Sequence, residues 1–234
     1  MKSEIAVNIE KVEERINNAC IRSGRKRGDI SLLAVTKLHP IEKAEEAWKN
    51  GLRLFGESRV QEGVEKFNTF RSGHERDKND LSYLHLIGTL QRNKAKIASS
   101  FFDCIQSVDR VTLIDELGGL TADRQTPLLI LLEYHTGEKS KAGFPSLDEL
   151  YRGAEKALSW PGLRLAGLMT MAPLTSDENL IRSSFRSLVK AQTELEKKFR
   201  EASWACLSMG MSGDFEIAIE EGSTMLRLGS AIFS

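Results

Sequence analysis

Short apolar runs alternate with amphipathic, charged ones along the whole chain. Ile5, Ile9, Val12, Ile16 and Cys20 fall at helical spacing, which predicts an opening helix with one buried face. "DISLLAVTK" then reads as a strand, and "IEKAEEAWKNG" as a helix stopped by its glycine. "LRLFGES" is a second strand with "RVQEGVEKFNTF" as its helix. "LSYLHLIG" and "FDCIQSVD" are the third and fourth strands, followed by helices over "TLQRNKAKIASS" and "RVTLIDELGGLTADRQ". "PLLILLEYHTG", bounded by Pro127 and Gly137, is a fifth strand with a helix across "SLDELYRGAEKALSW", and "LRLAGLMTMAP" is a sixth. The next helix opens with a capping-box spelling from Thr175 to Glu178 and carries Ile181, Phe185, Leu188, Leu195 and Phe199 in one stripe. "CLSMGMS" is the seventh strand, "DFEIAIEEGS" its helix and "TMLRLGSAIFS" the eighth strand.

Strands that alternate with helices predict parallel βαβ units, and eight such units can close on themselves. The count of eight, in a chain that stops at its eighth strand, favours a (β/α)8 TIM barrel over an open doubly wound sheet. We therefore expect a single α/β domain over residues 1–234, with one extra helix at the amino end. No internal repeat, low-complexity tract or linker interrupts the pattern. "RSGHERDKND" is the one obvious surface loop.

Composition narrows the function classes. The chain has 33 Lys+Arg against 33 Asp+Glu, so its balance argues against broad adhesion to nucleic acid or anionic membrane. Cys20, Cys104 and Cys206 lie far apart in apolar contexts with no metal-ligand spacing, which predicts reduced, buried thiols. The charged amino end lacks the apolar core of a signal peptide, and no apolar stretch is long enough to cross a bilayer. A cytoplasmic location is expected.

In such barrels chemistry collects at the C-terminal strand ends. Lys37 stands at the end of the first strand. A lysine there is either a snorkelling surface amine or an amine walled by apolar residues, whose neutral form condenses with an aldehyde. The seventh and eighth strand ends offer Ser208 to Ser212 and Gly229-Ser230, small residues and amides of the kind that bind phosphate. A phosphate nest opposite a lysine amine is far more specific than either part alone.

"AVTK", "FGES" with "VQE", "HLIGTLQRNK", "KAGF", "GLMTMAP" and above all "LSMGMSGDFEIAIEEGSTMLRLGSAIF" resemble the pyridoxal phosphate homeostasis proteins, from about Ile5 to the last residue. That family is similar to the amino-terminal barrel of alanine racemase and to fold-type III enzymes that use pyridoxal 5'-phosphate (PLP). The resemblance implies that Lys37 holds PLP as a Schiff base and that Ser208, Gly229 and Ser230 take its phosphate. It also implies that Arg227 faces the pyridine nitrogen. An arginine keeps its proton, so the ring nitrogen opposite stays unprotonated and the cofactor is a poor electron sink. His85 and Met169 match pocket-lining positions, and Ser58 replaces the asparagine of the family's usual Gly-Glu-Asn. His135 stands where the family often has asparagine, and is expected to be a satisfied polar residue at the rim.

The implied function is a protein that holds, buffers or delivers PLP to apoenzymes, without robust catalysis. The alternative is a fold-type III racemase. Racemisation needs a proton donor on each face, which alanine racemase takes from a second domain. This chain ends soon after Arg227, so neither that domain nor the dimer contact it provides is expected, and a monomer follows. A third reading makes the barrel a protein-docking scaffold, with the charged segment from Arg71 to Asp80 as its external face.

Overall fold

The computed structural model describes residues 2–73, 83–137 and 142–234. The chain opens with α1 (Glu4–Ser23), capped by the Ser3 hydroxyl, which accepts the Ala6 amide, and ended by Gly24 at φ 68°. Then β1 (Ser31–Val35), α2 (Ile41–Lys49), β2 (Leu54–Glu57), α3 (Val60–Gly73), β3 (Leu84–Leu86), α4 (Ala95–Phe101), β4 (Cys104–Val108) and α5 (Val111–Thr121) follow. The second half comprises β5 (Leu128–Glu133), α6 (Leu147–Leu158), β6 (Leu163–Met169), α7 (Glu178–Lys198), β7 (Cys206–Ser208), α8 (Phe215–Glu220), β8 (Met225–Leu228) and α9 (Ser230–Phe233).

The strands pair in sequence order, all parallel, and β1 closes on β8 with Ala34 opposite Leu228. This is the (β/α)8 TIM barrel that the pattern predicts. Outward residues such as Ala34, Phe55, Leu84 and Ile130 join the helices in one large core. Inward residues form two smaller clusters, one around Leu33, Val35 and Met225 and the other around Cys104, Leu129, Leu131 and Met169. Burial on both faces explains why the strands read as continuous apolar runs. Helix α1 lies outside the barrel against α8 and α9, its apolar stripe buried as expected. Asn8 Nδ2 donates to the Ile232 and Ser234 carbonyls, and Arg25 Nη1 to the Ile219 carbonyl, pinning this extra helix across the closing seam.

Two local expectations change. The last apolar run is not all strand: after Leu228 the chain turns into α9, because Gly229 breaks the ladder and Ile232 and Phe233 pack outward into the helical layer. The cap of α7 is Asp177, whose carboxylate accepts the Asn179 and Leu180 amides. Thr175 instead accepts the Asp177 amide, one step too early to serve as the cap. Cys20 and Cys104 are buried free thiols, and Cys206 is half-buried. No helix among the described residues is long and apolar enough to cross a membrane. Most of the surface loop expected from Arg71 to Asp80, and Lys141 of "KAGF", lie outside the described residues.

Candidate functional site at the C-terminal mouth of the barrel

Lys37 follows β1 by two residues, on the same inward parity as Leu33 and Val35. It is exposed, and it makes no hydrogen bond or ion pair among the described residues. The apolar walls expected around this amine are therefore not part of its surroundings. The turn that carries it bends outward through Leu38, a non-glycine at φ 65°. Behind it the backbone is firmly held. The Thr36 hydroxyl donates to Glu57 Oε1 at 2.6 Å, and Lys66 Nζ donates to the Thr36 carbonyl at 2.7 Å and to the same Glu57 oxygen at 2.6 Å. A buried carboxylate and a nearly buried ammonium thus fix the residue that precedes Lys37.

Arg227 projects inward from β8 and is only 4% exposed. Its Nη1 donates to the Ser208 carbonyl and hydroxyl, both at 2.7 Å, and Nη2 donates to the Thr170 carbonyl at 2.8 Å. A guanidinium has five N–H groups. Three are engaged, which leaves Nε–H and one Nη2–H without a partner among the described residues. Burial pushes the Arg227 pKa down to about 10, against the attraction of Glu133 and Asp214. That value is still well above neutral, so the group stays charged.

Ser208 is fully buried, and its hydroxyl donates to Gln106 Oε1 at 2.6 Å while accepting from Arg227. This geometry makes Ser208 a support for Arg227 rather than the expected phosphate donor. Ser212 stands nearer that role. Its hydroxyl accepts the Ala231 amide at 3.2 Å, tying the loop after β7 to the start of α9. The amides of Ser212 and Gly213 and the Ser230 hydroxyl make no hydrogen bond among the described residues. Gly229 packs on β1, since an added Cβ would lie 3.3 Å from the Val35 carbonyl oxygen. The ends of β1, β7 and β8 therefore bring one unpartnered amine, an unpartnered pair of guanidinium donors and a set of unpartnered small donors to one mouth. An aldehyde, an aromatic ring nitrogen and a phosphate are matched by those three groups, so the residues present fit PLP.

The remaining expected residues sit elsewhere. Ser58, half-buried after β2, touches the neighbouring strand end, where a Cβ on Gly88 would meet the Ser58 carbonyl oxygen at 2.2 Å. Met169 ends β6, level with Ser208, and is fully buried among Cys104, Leu129 and Leu131. His85 is lower than expected: its Nδ1 lies 2.7 Å from Gln106 Nε2, and its ring lines a cavity at the N-terminal end of the barrel. His135 is half-buried after β5, and its amide donates to the Phe144 carbonyl. Gln106 went unnoticed in the sequence, although a polar residue at an inward position of "CIQSV" is itself a signal.

Barrel and mouth together define an alanine racemase N-terminal domain, and the family of that description matches residues 7–234. A Vibrio cholerae pyridoxal phosphate homeostasis protein is 37% identical over 230 residues, covering 98% of this chain and 95% of its own. Its Escherichia coli K12 counterpart is 36% identical over 232 residues, covering 99% and 96%. PipY of Synechococcus elongatus, solved with PLP bound, superposes with a TM-score of 0.81 at 30% identity, over 95% of this chain and all of its own. An alanine racemase from Clostridium difficile shares the fold, with a TM-score of 0.76 at 12% identity, and this chain spans 56% of it. The chain belongs to the pyridoxal phosphate homeostasis protein family. The Vibrio cholerae and Escherichia coli relatives are named as homeostasis proteins rather than enzymes.

Proposed function

We propose that the protein binds PLP at the mouth of its barrel and holds, buffers or delivers it to apoenzymes in the cytoplasm, without robust catalysis and as a monomer. Lys37 supplies the amine for covalent attachment to the aldehyde, with loss of water. Arg227 would donate one of its remaining N–H groups to the ring nitrogen. Gly229, Ser230 and the Ser212 loop take the phosphate. Ser58 and Met169 border the pocket, and His85 acts from below through Gln106. When bound, PLP supplies a reactive aldehyde conjugated to an electron-withdrawing ring.

The observation that carries this reading is the buried, still-charged Arg227, held by Ser208 and Thr170 with two donors left over. Such a group donates to the ring nitrogen but does not protonate it, which makes the bound cofactor a poorer electron sink than one paired with a carboxylate. Placement of the tyrosines supports the same conclusion. The chain has three, and Tyr83, Tyr134 and Tyr151 all pack in the layer between strands and helices, away from the barrel axis. None is set to act as an acid opposite Lys37.

Borohydride treatment of PLP-loaded protein should fix the cofactor on the peptide carrying Lys37. Lys37→Ala should abolish that label and leave thermal stability unchanged, because an exposed side chain without partners contributes within about 0.5 kcal/mol. A label on another lysine would overturn the assignment. Turnover of any amino acid's enantiomers at about one per second or faster would instead favour the racemase reading.

A further inference from the structure

At the opposite, N-terminal end of the barrel lies a cavity of about 700 Å³. Its inner wall is made by His85, Cys104, Leu131, Cys206 and Met225, and Arg164 and Asp29 stand at its edge. The volume is in the range of small-molecule sites, and the wall is largely apolar. Thiol chemistry is not what it offers. Burial pushes the Cys206 thiol up to about 12 and the Cys104 thiol well above its ordinary value, so neither is a thiolate near neutral pH.

The edge carries two charges of unequal standing. Asp29 accepts the Lys26 amide at 2.9 Å, within the turn that precedes β1. Arg164 is exposed and makes no hydrogen bond or ion pair among the described residues. An apolar chamber with an unpartnered guanidinium at its entrance fits an apolar-bodied carboxylate.

Gln106 does not line this cavity but lies behind its inner wall. Gln106 Nε2 contacts two wall residues, His85 Nδ1 at 2.7 Å and Met225 Sδ at 3.2 Å. On its other side Gln106 Oε1 accepts from Ser208, which accepts from Arg227. The donors thus run in one direction, from Arg227 through Ser208 and Gln106 to His85, along the barrel axis. A group packed on His85 and Met225 restricts two of the three side chains that hold Gln106.

We propose that the lower cavity is a second ligand site, for a medium-chain monocarboxylate, whose occupancy is transmitted to the cofactor mouth through Gln106 and Ser208. Transmission rests on the PLP reading above, whereas the site itself does not. Linkage requires that octanoate alter PLP affinity by the same factor as PLP alters octanoate affinity.

Octanoate, which lacks an amine that could react with PLP, is titrated calorimetrically into the full chain with and without bound PLP. Saturable binding of one octanoate is expected, abolished by Leu131→Trp, which fills the chamber, and weakened about tenfold by Arg164→Ala at the exposed edge. The octanoate Kd should differ at least about threefold between the two forms, and Gln106→Leu should erase that difference while preserving binding. The site is overturned if octan-1-ol binds as well as octanoate or if binding survives both substitutions. Because Leu131→Trp also loads the packed barrel interior, the Arg164→Ala result and the octan-1-ol comparison decide the site by themselves. Equal Kd values with and without PLP overturn the transmission. A chain that takes up no PLP overturns the cofactor reading and the transmission with it, and the titration of the PLP-free chain still decides the site.

Discussion

Replacing Arg227 by methionine should separate stability from function. Burial, net of the attraction of Glu133 and Asp214, lowers the Arg227 pKa from the ordinary arginine value to about 10, and that drop reflects how far the site disfavours its charge. At 1.36 kcal/mol per pH unit, that is about 3 kcal/mol. Methionine removes this penalty and fills similar space. Against it, the Thr170 carbonyl loses its guanidinium donor, a loss of about 1–3 kcal/mol for an orphaned buried group. The Ser208 carbonyl keeps the Thr170 amide, and the Ser208 hydroxyl keeps Gln106, so neither is orphaned. The two effects nearly cancel, and Arg227→Met should change stability by about 1 kcal/mol or less, which is about 2–4 °C in Tm for a chain of this size. PLP uptake and the pH dependence of the bound cofactor's absorbance should nevertheless change markedly.

The pH dependence of stability supplies a second reading of the same number. In the folded chain Arg227 releases its proton near pH 10, whereas the unfolded chain holds it to the higher, ordinary arginine value. The unfolded state therefore binds more protons above pH 10, so the destabilisation from this group, fully present near neutrality, is relieved as pH rises there. Wild type should gain on Arg227→Met as pH is raised through 10, measured as the difference between their urea midpoints. A variant that loses 10 °C in Tm with an unaltered cofactor spectrum would refute the reasoning, because Arg227 would then be a structural residue.

Three further outcomes follow from the geometry. Lys66→Met strands the buried Glu57 carboxylate, whose Oε2 already lacks a partner, and should lower stability by about 3–5 kcal/mol; adding Glu57→Gln should restore most of it, and a single variant as stable as wild type would show that the ion pair does not hold the turn. Gly167 sits at φ 148°, where an added Cβ would lie 1.9 Å from the Cys206 carbonyl oxygen, so Gly167→Ala should destabilise by about 3 kcal/mol or more, and a normal melting curve would contradict the close β6–β7 approach. Burial raises the pKa values of Glu220 and Glu221, but hydrogen bonds from Arg182, Arg186 and Arg22 outweigh it and leave both below 4.5. Their stabilisation is complete above that pH and lost as acid protonates them, so Arg182→Met should flatten the acid limb of the stability profile; an unchanged limb would remove these pairs from the account.

The sequence by itself determined the order of elements and the number of strands. Apolar periodicity reports which face of an element is buried, and that is a local property of Leu33, Val35 or the stripe of α1. Position along the barrel axis is not local. It depends on strand tilt and on the register accumulated around eight strands, which no single strand encodes. Hence position along the strands places Lys37 and Arg227 at strand ends, whereas only the closed barrel shows Ser208 bonded to Arg227 and His85 lining the far end. The exposure of Lys37 likewise depends on a left-handed turn at Leu38 and on a Glu57–Lys66 pair contributed by the neighbouring β2 and α3. Closure of the sheet alone brought Gln106 between a lower cavity and the upper mouth, because side chains from strands far apart in sequence meet only on the axis of a closed barrel.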